Sequence, residues 1–119
     1  MSRRHRLSRS RDFDAVYRKG WSVSTRFLVL YSFPREEGED GEPRLGLAVS
    51  RQLGNAVERN RLKRRLRAAF DAVAGELPPG HDYVLIARPG LTEAIASRGF
   101  PWLTERVQEI FRLGEGVRA

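Results

Sequence analysis

Residues 45–67 read LGLAVSRQLGNAVERNRLKRRLR, and this stretch decides the fold. Its first six residues, LGLAVS, are predicted to form a β-strand in which Gly46 marks a close approach or a bulge. Gly54-Asn55 then interrupts the chain. Asn55 and Glu58 have the spacing of a capping box, which is typical of a helix N-terminus. The stretch therefore predicts a strand followed, after a short break, by a long helix.

This helix has two chemically different faces. Apolar residues recur at helical spacing until Pro78-Pro79-Gly80 and are predicted to face the core: Leu62, Leu66, Ala69, Phe70, Val73 and Leu77. The opposite face carries the row Asn60, Lys63, Arg64 and Arg67, flanked by Arg61 and Arg65, with Arg59 near the apolar margin. Solvated faces usually alternate in sign, and this one does not. Like charges four residues apart each destabilise a helix by about 0.2–0.5 kcal/mol. A phosphate backbone would turn that repulsion into attraction, so nucleic-acid binding is favoured over a merely solvated face.

The rest of the chain completes one α+β domain, a two-layer sandwich with the order α-β-β-α-β-α. A first helix is predicted from Ser8 or Ser10 to Lys19, and a strand over 26–33 is followed by an acidic loop over 34–44. Further along, the predicted elements are a strand over 82–88, a helical turn or two within 91–98, and a last helix from near Pro101 to Gly114. A short extra strand is expected near 51–53. Residues 1–6 are expected to be a flexible arm and 114–119 a tail of the single domain 1–119.

The strand over 26–33 is apolar on both faces. Its period of two places Leu28 and Leu30 on one face and Phe27, Val29, Tyr31 and Phe33 on the other. An antiparallel sheet normally leaves one face to water, so something apolar or stackable is expected on the second face. Phe13 and Tyr17 of the first helix, together with Val29 and Tyr31, are predicted to line a groove for single-stranded nucleic acid. Core packing is the competing interpretation of the same residues.

Composition agrees with a basic, cysteine-free globular domain. The 119 residues carry a net charge of +7 with a sequence pI near 10.9, and 22 basic residues stand against 15 acidic ones. The charge is concentrated in residues 1–19 and 51–67, which is typical of a protein that binds a polyanion. The absence of cysteine excludes disulfides, Cys-ligated zinc and thiol nucleophiles. No apolar run reaches the roughly 20 residues of a membrane span, so we expect a cytoplasmic monomer that contacts no membrane.

The sequence shows no self-sufficient active site. His5 and His81 are interpreted as ordinary surface histidines, and the acidic residues within 36–42 as a solvated loop. Neither a phosphate-binding loop nor a nucleophile motif is present. A catalytic or metal-ligating residue is therefore not expected.

The ordered motifs resemble the protein subunit of bacterial ribonuclease P. Gly46-Leu47-Ala48-Val49-Ser50, Gly54-Asn55-Ala56-Val57 and the Arg-Asn-Arg segment 59–67 carry the resemblance, and further matching positions follow in order: Asp12-Phe13, Tyr17, Gly20, Phe27–Tyr31 and Asp82–Arg88. It covers roughly residues 6–112. Arg51-Gln52 departs from the basic pair often found there, Tyr17 stands where Phe is common, and 91–101 matches poorly.

The resemblance implies a specific fold and two RNA surfaces. The basic helix would lie in a left-handed βαβ crossover, against the usual right-handed rule. The residues implied to bind the RNA subunit are Arg59, Asn60, Arg61, Lys63, Arg64 and Arg67. Those implied to hold the 5′ leader of precursor tRNA are Phe13, Tyr17, Val29 and Tyr31. The RNA subunit would remove the leader by Mg²⁺-dependent hydrolysis, and the protein alone would be inactive.

Two alternatives stay open at this point. One is a general RNA-binding module, such as a ribosomal protein with a related sandwich, which would not register a 5′ extension. The other is a protein-only nuclease, which would cleave with Mg²⁺ in the absence of any RNA subunit.

Overall fold

A four-stranded sheet with helices on one face is formed by residues 20–34, 41–78 and 80–118, the part of the chain that the computed structural model describes. The strands are β1 (Trp21–Ser24), β2 (Leu28–Pro34), β3 (Arg44–Ala48) and β4 (His81–Ala87). The helices are α1 (Ala56–Ala74), α2 (Leu91–Arg98) and α3 (Phe100–Arg118). This arrangement confirms the predicted α+β sandwich.

The sheet has the order β1-β2-β4-β3. β2 is antiparallel to both β1 and β4, whereas β3 runs parallel to β4. A parallel pair needs a crossover, and α1 supplies it between β3 and β4. The family resemblance implies this βαβ crossover, and the left-handedness of the crossover stays a prediction.

The helix layer and the sheet enclose one main core. The predicted stripe of α1 is buried, and so are Leu103, Val107, Ile110 and Phe111 of α3. They pack against inward side chains of the strands: Leu28, Leu30, Leu45, Tyr83, Leu85 and Ala87. A smaller cluster lies on the opposite face of the sheet, where Phe33 and Val84 are buried and Tyr31 and Ile86 pack against them.

The start of α1 is fixed by its predicted capping box. The backbone N–H of Glu58 donates to Asn55 Oδ1 at 2.9 Å, and the backbone N–H of Asn55 donates to Glu58 Oε1 at 3.0 Å. Gly54 precedes the cap with φ +137°, and a Cβ there would lie 2.9 Å from the Glu58 Cβ. Glycine is required at this position because an L side chain rarely adopts this φ and would also press on the capping glutamate.

Several sequence predictions are corrected. The extra strand near 51–53 is a turn of 3₁₀ helix, Arg51–Leu53, and the strand β1 was not predicted. α1 ends at Ala74 before Gly75, so Leu77 is buried beyond the helix and not on it. Phe27 packs with the main core instead of the second face, because it lies in the bend before β2 begins at Leu28. The first helix, the arm 1–6, Phe13 and Tyr17 fall outside the described residues.

α3 continues to Arg118, so the predicted stop at Gly114 and the tail 114–119 are also wrong. Gly114 is buried inside the helix, where a Cβ would overlap the ring of Trp21. Its glycine accommodates the tryptophan of β1 and does not end a helix. The helical stretch predicted within 91–98 is confirmed as α2, and α3 begins at Phe100, close to the predicted Pro101.

Candidate nucleic-acid interface

The cationic row of α1 lies on the solvent side of the helix, as predicted. Asn60 and Arg64 are exposed, and Lys63 and Arg67 are half-buried. These four residues line one shallow surface pocket of about 570 Å³ together with Ala68 and Asp71. The structure therefore brings the four residues together on a single surface. Asp71, four residues after Arg67, is an acidic neighbour at the end of the row that sequence reasoning did not consider.

The flanking arginines of the same helix point elsewhere. Arg61 is exposed and lines a second pocket of about 260 Å³ with Thr92, Ile95 and Phe100. The Arg65 guanidinium lies over the Phe100 ring, 4.3 Å from its centroid. Arg59 is half-buried, in agreement with its predicted place at the apolar margin. The predicted set thus divides into a central row, to which Lys63 and Arg64 belong, and a flank that faces α2 and α3.

The second predicted surface is the sheet face that points away from the helices. Val29 and Tyr31 are both half-buried on this face of β2. Tyr31 is level with Ser22 on β1 and Val84 on β4, and Val84 is level with Gly46 on β3. Because directly opposite residues share a face, bulky side chains occupy the middle of the sheet and small ones its edges.

A buried ion pair closes one end of this face. Arg44 Nε donates to Asp82 Oδ1 at 2.8 Å, and Arg44 Nη2 donates to Asp82 Oδ2 at 2.6 Å. The Asp82 side chain is 5% exposed, so the bidentate arginine compensates a carboxylate that water scarcely reaches. Sequence reasoning placed Arg44 in the acidic loop and missed this pair. An aspartate at the start of an otherwise apolar strand was the available signal.

The described residues contain no group of three or more His, Cys, Asp or Glu side chains that could hold a metal ion. Within the same residues, no helix is long and apolar enough to cross a membrane. His81 lies beside Tyr83, with ring centroids 6.4 Å apart.

The fold and the two surfaces define an α+β protein with one strongly cationic helix and an apolar sheet face. A family model for ribonuclease P matches residues 1–112. The chain belongs to this family, the protein component of ribonuclease P, which is a subunit of a tRNA-processing ribonucleoprotein and partners an RNA component.

Individual relatives agree with the family match. The ribonuclease P protein component of Shouchella clausii (strain KSM-K16) is 51% identical over 88 residues, which are 74% of this chain and 70% of that protein. A solved Staphylococcus aureus RNase P protein mutant with defective mRNA degradation activity is 30% identical with a TM-score of 0.78, covering 93% of this chain and 88% of that one. The RNase P protein from Thermotoga maritima is 34% identical with a TM-score of 0.76, covering 89% and 94%.

Proposed function

We propose that this chain binds the catalytic RNA of ribonuclease P through the cationic row of α1 and the 5′ leader of precursor tRNA through the open face of the sheet. In this proposal the protein supports the Mg²⁺-dependent endonucleolytic removal of the leader, which yields the mature 5′ end of the tRNA. The observation that carries the proposal is the row Asn60, Lys63, Arg64 and Arg67, assembled on one exposed surface.

Like charges lie four residues apart in and beside this row, which is unfavourable within the protein itself. Arg59/Lys63 and Lys63/Arg67 are like-charge pairs four residues apart, each unfavourable by about 0.2–0.5 kcal/mol. Of the acidic residues of α1, Glu58 is engaged in the capping box, and Asp71 lines the same pocket as the row, four residues after Arg67. Phosphate groups of RNA would neutralise the row and release their counterions, which favours association. The RNA component is therefore the ligand that the row fits.

The open sheet face supports the second part of the proposal. Val29 and Tyr31 present an apolar and an aromatic surface beside the small residues of β1 and β3. A flat aromatic surface lets an unpaired base stack without requiring a particular sequence. Phe13 and Tyr17, which the resemblance assigns to the same cleft, complete the proposed leader site. The protein would hold the leader so that the scissile phosphate is positioned, which is an entropic contribution to the rate.

The chemistry itself is assigned to the RNA. Mg²⁺ would activate water and stabilise the leaving oxygen mainly at RNA-bound sites. No chemical step is given to a metal held by the protein, and none of its described residues is assigned a catalytic role. The protein residues bind and orient the two RNA molecules.

Reconstitution tests the proposal. Purified protein is mixed with a bacterial ribonuclease P RNA at low Mg²⁺, and leader removal from precursor tRNA is measured beside protein-alone and RNA-alone reactions. Cleavage in the mixture only is the expected result. Cleavage by the protein alone would show a protein-only nuclease, and tight RNA binding without stimulation of a cognate RNA would show a general RNA-binding module.

A further inference from the structure

Three arginines surround a pair of aromatic rings on the helix side of the sheet. The Phe27 and Trp102 rings meet edge to face, with centroids 5.3 Å apart and planes at 78°. The guanidinium carbons of Arg98 and Arg106 lie 5.7 and 5.9 Å from the centre of the Trp102 ring. That of Arg26 lies 5.2 Å from the centre of the Phe27 ring. We call these five residues the arginine–aromatic surface.

The backbone beneath this surface is fastened to the sheet. Arg88, directly after β4, donates from its backbone N–H to the Phe27 carbonyl and from Nη1 to the Thr25 carbonyl, both at 2.9 Å. These bonds tie the turn between β1 and β2 to the end of β4, from which the chain passes into α2 and α3. Phe27 and Trp102 also pack against the main core. The arginines are therefore presented by a fixed frame, which lowers the entropic cost of binding.

The positive charge of the surface is only partly compensated. Arg106 lies 3.5 Å from Glu109 and 3.8 Å from Glu105. Arg26 and Arg98 are exposed, and neither forms an ion pair with any residue in the described ranges. A guanidinium that rests on a ring keeps its N–H groups directed outward, in the geometry that suits a phosphate. An anionic ligand is consequently the expected partner.

We propose that the arginine–aromatic surface is a second contact for the phosphate backbone of the RNA component. The Trp102 ring already carries two guanidinium groups and the edge contact with Phe27, which favours phosphates over stacked bases as its ligand. The surface lies on the helix side of the sheet, whereas Val29 and Tyr31 lie on the other side, so the leader is a less suitable occupant. The inference rests on the proposed function, because it extends the proposed contact with the RNA component beyond α1.

Salt titration of RNA affinity tests the second contact. The Kd for a ribonuclease P RNA is measured from 50 to 200 mM monovalent salt for Arg26→Gln and Arg98→Gln, singly and combined. Each lost phosphate contact lowers the slope of log affinity against log salt by about 0.9. Between 50 and 200 mM salt, the fold-loss of RNA affinity should therefore be about 3.5 times smaller than in the wild type for each single variant and about twelve times smaller for the double variant.

Two control variants determine whether a change in the salt slope reports a lost phosphate contact. Arg112→Gln removes the same charge from an exposed position of α3 outside the surface and should keep the wild-type slope. Arg98→Lys retains the charge and should also keep most of the slope, which separates a lost contact from a damaged fold. Arg98→Gln and Arg26→Gln slopes equal to that of Arg112→Gln would overturn the proposal. The proposal would also be overturned if Arg26→Gln and Arg98→Gln weakened only the binding of precursor tRNA to the preassembled protein–RNA complex.

The same titration separates this inference from the proposed function. Arg64→Gln reports on the cationic row of α1. A flattened slope for Arg64→Gln with wild-type slopes for the two surface variants would refute the second contact alone. Failure of the wild-type protein to bind the RNA would refute both. Binding of the surface to an acidic protein, with RNA affinity unchanged in Arg98→Gln, would also refute it.

Discussion

Gly114→Ala tests how β1 packs against α3. Gly114 is buried within α3, and a Cβ at this position would lie 2.6 Å from Cζ3 and 3.3 Å from Cζ2 of Trp21. Both distances are shorter than an ordinary carbon–carbon contact of about 3.5–4.0 Å. Since the added atom meets a rigid ring, the indole has to move away from the helix.

The expected change in the free energy of unfolding combines two opposing effects. Replacing glycine by alanine inside a helix is favourable by about 1 kcal/mol. Displacing a half-buried tryptophan exposes about half of its 150–250 Å², which at about 25 cal/mol per Å² costs roughly 2–3 kcal/mol. Gly114→Ala should therefore lower the free energy of unfolding by about 1–2 kcal/mol, within the usual range for overpacking.

Urea unfolding followed by circular dichroism measures this change, and a second glycine provides the control. Gly75 has φ −66° and ψ −17°, and a Cβ there would have no neighbour within 4 Å. Gly75→Ala should therefore stabilise the protein by about 0.4–1 kcal/mol, through the unfolded chain. In a Trp21→Leu background Gly114→Ala should become stabilising as well. If Gly114→Ala stabilises the wild-type protein as Gly75→Ala does, the proposed close packing of Trp21 on α3 is refuted.

Four further predictions concern the two surfaces and the core. Lys63→Ala and Arg64→Ala should each weaken binding of the RNA component and flatten its salt dependence by about one unit of slope, measured by titration; an unchanged slope would show that the side chain contacts no phosphate. Tyr31→Ala should weaken binding of leader-bearing tRNA by roughly 1–3 kcal/mol if a base stacks there, while an equal loss with mature tRNA would indicate misfolding. Ser32→Ala should leave stability unchanged or raise it by up to about 1 kcal/mol in urea unfolding, because its buried hydroxyl has no hydrogen-bond partner among the described residues; a clear loss of stability would reveal one. Asn55→Ala should lower the free energy of unfolding by about 1 kcal/mol through loss of the capping box, and an unchanged value would mean that the helix start is held by packing alone.

The basic helix could be predicted in detail because its signals are local. Asn55 and Glu58 are three residues apart, and their reciprocal hydrogen bonds depend on little beyond the first turn of α1. The stripe from Leu62 to Val73 repeats with the helical period, so burial of one side exposes the cationic row on the other. The RNA site proposed on α1 is thus predictable from a single segment.

Features that depend on distant parts of the chain were missed. Gly114 resembles a helix stop by its intrinsic preference, yet the Trp21 ring, more than ninety positions earlier, requires a glycine inside the helix. β1 escaped prediction because Trp21–Ser24 is a four-residue edge strand without a long apolar run. Strict alternation places Phe27 on the second face, whereas the strand starts at Leu28, two residues after the predicted start at position 26.

The arginine–aromatic surface illustrates the same limit for a functional site. Arg26 and Phe27 lie in one turn, and Arg98, Trp102 and Arg106 belong to two helices more than seventy residues further along the chain. No spacing rule links these positions. They meet because the end of β4 is bonded to the turn between β1 and β2, which is a property of the sheet order.

The stability of α1 and its charge are carried by different residues. Burial of Leu62, Leu66 and Phe70 contributes about 1.5–3 kcal/mol for each side chain. The like-charge pairs Arg59/Lys63 and Lys63/Arg67 together oppose this by only about 0.4–1 kcal/mol. The core and the capping box therefore outweigh the repulsion among these cations. A cluster of like charges that slightly opposes the fold is best explained by a ligand of opposite charge, which is why the row on α1 carries the functional proposal.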